Sequence, residues 1–189
     1  MPKVSKRAHL MPESPIRKLA PFASKAKKKG VHIHHLNIGQ PDIPSPKNAL
    51  DSIKKHNIET LSYAPSNGFE SYRKKLAKYY QEKQIGISSE EIIITTGGSE
   101  ALSFAISCVC DPGDEVIIPE PYYANYQGFS TSAGVSVLPL TCLLQEDFAL
   151  PAGETIKSLI SEKTKAIVLC NPGNPTGRLY DNIELLFQN

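Results

Sequence analysis

Three short stretches carry residue types that can hold a small polar ligand. The first is Asn171-Pro172-Gly173-Asn174-Pro175-Thr176-Gly177, which follows the apolar run 166–170. Proline removes a backbone donor and pushes the residue before it toward an extended or turn geometry, so two Asn-Pro steps stiffen the turn. A rigid turn at the carboxyl end of a parallel strand is where open α/β sheets hold ligands, and this one can fix an amide side chain. The second is Gly97-Gly98-Ser99-Glu100, between the apolar run 91–96 and a helix-like stretch over 101–109. Strand, glycines and helix N-terminus in that order make an anion site. The first amides of the helix lack partners, the dipole favours negative charge, and glycine admits close approach. Ser99 can cap the helix and donate to a phosphate. Neither a G-x-G-x-x-G fingerprint nor a P-loop with its lysine is present. The third is Pro121-Tyr122-Tyr123-Ala124-Asn125-Tyr126, in which a ring such as Tyr123 can lie flat on a planar ligand or serve as one core aromatic among three.

Together these stretches resemble the pyridoxal-phosphate (PLP) aminotransferases of class I/II, with the aspartate aminotransferase fold, also called fold type I. The asparagine-proline turn resembles the signature N-P-x-N-P-T-G. Thr95 to Leu102 resembles T-x-G-G-x-x-A-L, and Pro112 to Tyr126 resembles P-G-D-x-V-x-x-P-x-P-x-[WYF]-x-x-Y. Two further segments match in the same order. Leu36-Asn37-Ile38-Gly39-Gln40-Pro41-Asp42 is similar to L-x-x-G-x-P-D, and Tyr63-Ala64-Pro65-Ser66-Asn67-Gly68 is similar to Y-x-P-x-x-G.

The resemblance implies roles for single residues. Asn174 would hydrogen-bond the ring hydroxyl of PLP, and Tyr123 would stack on its pyridine ring. Amides of Gly98, Ser99 and Glu100 would hold the phosphate. Only the backbone of Glu100 is assigned, because its carboxylate facing the phosphate would repel it. Tyr63 would reach across a dimer interface to the phosphate of the other subunit. Gly39 would bring its backbone close to the substrate carboxylate, where the lack of a Cβ helps.

The elements that must position these residues are legible in the pattern. An N-terminal arm carries Ile16, Leu19 and Phe22 at helical spacing, divided or kinked by Pro21 and ended by Gly30. A polar helix is expected around 47–56. Another is expected over 69–83, with Phe69, Tyr72, Leu76 and Tyr79 as its apolar stripe. Strands are expected at 92–96, 115–119, 135–140 and 166–170. The helices between them are expected over 101–109, from 121 to a stop at Gly134, and around 153–161, with Ile156, Leu159 and Ile160 inward. This alternation gives an α/β fold with a mostly parallel sheet and flanking helices. By the resemblance it is a truncated large domain of the PLP-dependent transferase fold plus an N-terminal arm. Residues 1–46 then form the arm and substrate-side segment, and 47–189 an incomplete PLP-binding domain. A half sheet would expose an edge and an apolar face, so a homodimer or other oligomer is expected.

Composition narrows the class. The chain has 189 residues, 40% hydrophobic and 21% charged, as in ordinary globular domains. A net charge of +2 gives no argument for nucleic acid. The basic run at 25–29 reads as a solvated helix end. No apolar stretch approaches the roughly 20 residues of a membrane span. The N-terminus lacks the apolar core of a signal peptide, so the cytoplasm is the expected compartment. Cys108, Cys110, Cys142 and Cys170 lack zinc-ligand spacing and read as small core residues. His32 and His34 share a face of an extended segment as a metal pair would, but a third ligand is not evident and no metal is expected.

The resemblance also implies what is missing. Family members continue for about twice this length. Downstream they carry an Asp for the pyridine nitrogen, a Tyr near the ring hydroxyl, the Schiff-base Lys and a substrate-clamping Arg. None has a matching motif here, so no catalytic residue is assigned. Lys163 and Lys165 sit in a polar turn and read as solvated. The expected activity of the family is transfer of an amino group between an amino acid, with aspartate as first candidate, and a 2-oxo acid. This chain alone is expected to be inactive, and its PLP site is expected in the full-length enzyme. Two other functions stay open: a non-catalytic remnant or regulatory module binding a phosphate ligand, and a PLP lyase or synthase.

Overall fold

The computed structural model describes residues 2–15, 17–57 and 59–181. The chain divides into two compact units, one of 1–32 with 98–189 and one of 33–97.

The first unit is built on a parallel sheet of β1 (Glu115–Glu120), β2 (Ser136–Thr141) and β3 (Thr164–Ile167), in the order β2-β1-β3. The central place of β1 explains its composition. A strand covered on both faces needs a continuous apolar run, and Val116, Ile117 and Ile118 supply one. Side chains alternate along a strand, so the run splits between two cores. Val116 and Ile118 pack with Ile106, Cys110 and Val135. Ile117 faces the other way, onto Leu140 and Ile156. The first core is covered by α5 (Gly98–Val109) and α6 (Asn125–Ala133), the second by α7 (Gly153–Leu159). Gly134 ends α6 in the left-handed region, at φ +80°. The turn before β1 is closed by Asp114, whose carboxylate accepts the Asp111 amide at 2.8 Å. The arm contributes α1 (Lys6–Leu10), capped by Ser5, and α2 (Ala20–Lys27). Pro21 stands in the first turn of α2, where its missing donor costs nothing, and a short 3₁₀ turn over Arg17–Leu19 leads in. Ile16 lies outside the described residues. Leu19 and Phe22 keep their helical spacing but are exposed.

The second unit contains α3 (Lys47–Lys55) and α4 (Glu70–Glu82). The expected strand at 92–96 does not form. A strand exists through a ladder partner, and none pairs with this segment among the described residues. Its Ile94 amide donates instead to the Asn67 carbonyl, at 3.1 Å. Ile92 is buried while Ile93 is exposed. The expected stripe of α4 is also corrected. Phe69, Tyr72 and Tyr79 are exposed, and the buried positions are Arg73 and Ala77. Two smaller corrections belong to the first unit. Ile160 follows α7 as its exposed C-cap residue, and Cys108 is exposed on α5, whereas Cys110 and Cys142 are buried. Among the described residues no helix is long and apolar enough to cross a membrane.

Candidate functional site

The turn after β3 is held by its own polar atoms. The Asn171 side chain zips the two limbs together: its Nδ2 donates to the Tyr180 carbonyl at 3.1 Å, and its Oδ1 accepts the Tyr180 amide at 2.9 Å. Inside the turn the Gly173 amide donates to the Arg178 carbonyl at 2.7 Å, and the Gly177 amide to the Gly173 carbonyl at 2.8 Å. A Cβ on Gly173 would meet Thr176 Oγ1 at 2.6 Å, so glycine is needed there. Arg178 extends to Asp147 at 2.6 Å, a partly exposed pair that ties the turn to the loop before α7. With Asn171 engaged in the backbone, Asn174 is the amide left to face a small pocket with Pro121, Tyr122, Tyr126, Cys170 and Tyr180.

The aromatic wall of that pocket differs from the sequence expectation. Tyr122 and Tyr126 stack, with centroids 6.5 Å apart and rings inclined by 18°. Tyr123 packs edge-on against Tyr126, at 5.5 Å and 86°, and its hydroxyl accepts from Asn125 Nδ2 at 2.7 Å. Burial, with the Cys170 thiol as hydrogen-bond partner and nearby charge, pushes Tyr126 up to about 12. Burial likewise raises Tyr122 and Tyr180. All three phenols are therefore protonated donors at neutral pH. Tyr126, Cys170 and Tyr180 were missed by sequence reasoning. Tyr126 is the last residue of the quoted aromatic motif, which was the available signal, whereas nothing marked Cys170 or Tyr180.

Because the Tyr126 proton is held more tightly in the fold than in the open chain, its contribution to stability is complete below pH 10 and is lost as the pH rises toward 12. Ultraviolet titration of tyrosinate should show a late component that Tyr126→Phe removes.

The glycine stretch opens α5. Gly97 lies at φ +85°, and the preceding Thr95 hydroxyl donates to the Gly97 carbonyl at 2.9 Å. A Cβ built on Gly98 meets nothing within 4 Å, so the space before the helix amides is open. The Ser103 hydroxyl donates back to the Ser99 carbonyl at 2.8 Å, holding the first turn of α5. Gly98 and Ser99 are exposed and Glu100 is half-buried. Helix-start amides, an open glycine and a helix of three turns fit a phosphate group.

In the second unit Tyr63 is fully exposed, at 103% of its reference area. Gly39 is exposed, and a Cβ added to it would meet nothing within 4 Å. The structure thus brings Asn174, Tyr122 and Tyr126 to one pocket, leaves Tyr123 outside the residues that line it, and places the glycines at the head of α5.

Residues 31–186 match the profile of aminotransferase class I and II. The chain belongs to that family. It is 32% identical over 179 residues to the aspartate/prephenate aminotransferase of Thermus thermophilus, spanning 94% of this chain and 46% of the relative. It is also 32% identical over 185 residues to an aspartate aminotransferase of Bacillus subtilis, spanning 97% and 47%. Among solved structures, the alanine aminotransferase of Pyrococcus furiosus superposes with a TM-score of 0.86 at 33% identity, covering 97% of this chain and 47% of that one. The aspartate aminotransferase of Thermus thermophilus with maleate gives 0.81 at 32%, covering 96% and 48%. The chain spans about half the length of the curated relatives it matches. Class I and II aminotransferases are generally PLP-dependent and act on amino and oxo acids. The α/β class with a parallel sheet and flanking helices, expected from the pattern, is the class found.

Proposed function

We propose that this chain is the cofactor-anchoring half of a PLP-dependent transaminase. That enzyme moves an amino group between an amino acid, aspartate first among the candidates, and a 2-oxo acid. The observation that carries the reading is the open glycine pair at the head of α5, in a chain that superposes on aminotransferases over almost its whole length. When bound, PLP supplies the electron sink for bond cleavage at the α-carbon of the amino acid.

Each residue of the chain then has a physical task. Amides of Gly98, Ser99 and Glu100 receive the phosphate at the positive end of α5, and the Ser99 hydroxyl adds a donor. Tyr123 offers a ring face, its hydroxyl engaged by Asn125. The Asn174 side-chain amide donates to the ring hydroxyl oxygen from a turn whose other asparagine keeps it rigid. Tyr122 and Tyr126 wall the pocket and keep their protons, so they exclude water and donate rather than accept charge. Gly39 receives the substrate carboxylate. Tyr63, wholly exposed here, supplies its phenol to a second copy, which makes the working assembly a homodimer or higher oligomer in the cytoplasm.

In this reading 1–46 is the arm and substrate-side segment, and 47–189 belongs to a PLP-binding domain completed by further chain. The groups for proton transfer at the α-carbon are absent from these motifs, so the 189-residue chain binds without turnover. A transaminase assay of this chain with aspartate and 2-oxoglutarate should give no PLP-dependent product. PLP-dependent turnover would refute the reading.

A further inference from the structure

Arg73 is the one charged side chain buried among the described residues, at 6% exposure. A buried guanidinium is costly unless its N–H groups find acceptors. Those of Arg73 reach two separate segments. Its Nε donates to the Gly68 carbonyl at 3.3 Å. One Nη donates to the Ser89 carbonyl and faces the Glu90 carboxylate at 3.5 Å. Arginine thus bridges the end of the Tyr63–Gly68 turn to the 3₁₀ turn at Ser89–Glu91.

A second link fixes the same turn a few residues further along. The Ile94 amide donates to the Asn67 carbonyl at 3.1 Å, and Ile94 packs so tightly on Gly68 that a Cβ there would lie 2.3 Å from Ile94 Cγ1. From Ile94 the chain runs through Thr95 and Thr96 into Gly97 and Gly98. The glycine stretch assigned above to the cofactor phosphate therefore follows directly on the segment that holds this turn, while Tyr63, which opens the turn, is assigned to the phosphate of a second copy. Without Arg73 the link at Ser89–Glu90 is gone, and the turn is left to the Ile94 link, which lowers the cost of opening it locally.

We propose that Arg73 is a positioning residue for phosphate binding: it clasps the Tyr63 turn to the segment that delivers the glycines, without touching the ligand. The link to phosphate rests on the cofactor reading above. Arginine suits the task because its planar fork addresses two carbonyls at once, whereas a lysine ammonium is a point charge on a flexible stem.

The test compares the chain with Arg73→Met, Arg73→Lys and Arg73→Ala. Amide exchange at Gly68 and Ile94 reads the clasp, with α5 amides as internal control. Binding of pyridoxine 5′-phosphate, which lacks the reactive aldehyde, reads the phosphate link. Arg73→Met should speed exchange at both amides by about tenfold relative to α5 and weaken the ligand by about tenfold. Arg73→Lys, which keeps the charge and the fold, should recover less than half of either loss on a logarithmic scale. Methylguanidinium should restore both in Arg73→Ala, which a residue that merely packs α4 would not allow. Unchanged exchange in the Met and Lys variants overturns the clasp. Faster exchange with unchanged affinity overturns the phosphate link. Failure of the parent chain to bind overturns the cofactor reading and that link together, while exchange still decides the clasp.

Discussion

Ile117→Ala should lower the stability of the sheet unit by about 4 kcal/mol, close to the whole margin of a modest domain. Ile117 has no exposed surface, sits on the central strand and anchors one face of the sheet with Leu140 and Ile156. Truncation removes its buried methyl and methylene groups and leaves a cavity. Neighbours pinned by strand pairing on both sides of β1 collapse poorly into such a cavity. Urea unfolding should show an earlier midpoint. An m-value preserved within error would identify lost stability rather than a changed unfolded state. Ile93→Ala, at an exposed position, should fall within about 0.5 kcal/mol and serves as control.

Gly68→Ala should be nearly as damaging in the other unit, at about 3 kcal/mol, because two costs combine. The residue lies at φ +89°, where a Cβ crowds its own backbone, and that Cβ would lie 2.3 Å from Ile94 Cγ1 and 2.6 Å from Ile94 Cβ. Ile94 is held by its amide on Asn67 and cannot retreat freely. Gly98→Ala makes the opposite comparison. With nothing within 4 Å of the added carbon, its stability should be unchanged within about 0.5 kcal/mol. Circular dichroism melts of the two variants separate a glycine required by packing from one that keeps space open.

Most of the sheet unit could be read from the chain because its signals are local. Val116 to Ile118 is an apolar run between Asp114 and Pro121, Gly134 is a helix stop, and Asn171 to Gly177 is a turn stiffened by two prolines. The misreadings came from partners that are not local. Residues 92–96 have strand composition, yet composition supplies no ladder partner, and Ile94 bonds to a turn instead. On α4 the apolar pattern pointed to Tyr72 and Tyr79, but burial fell on Arg73, whose acceptors at Gly68 and Ser89 are set by tertiary contact. The pocket followed the same rule. Asn174 was legible from its motif, while Cys170 and Tyr180 reach the pocket through the path of the chain after β3.

The measurement that tests the central claim most directly is amide chemical-shift mapping of the 189-residue chain with pyridoxine 5′-phosphate. The account predicts saturable shifts at Gly98 and Ser99, abolished by Gly98→Val, which fills the open space without unfolding α5. If those amides stay unmoved up to millimolar ligand, or Gly98→Val binds as the parent does, the head of α5 is not the phosphate site and the cofactor-anchoring account fails.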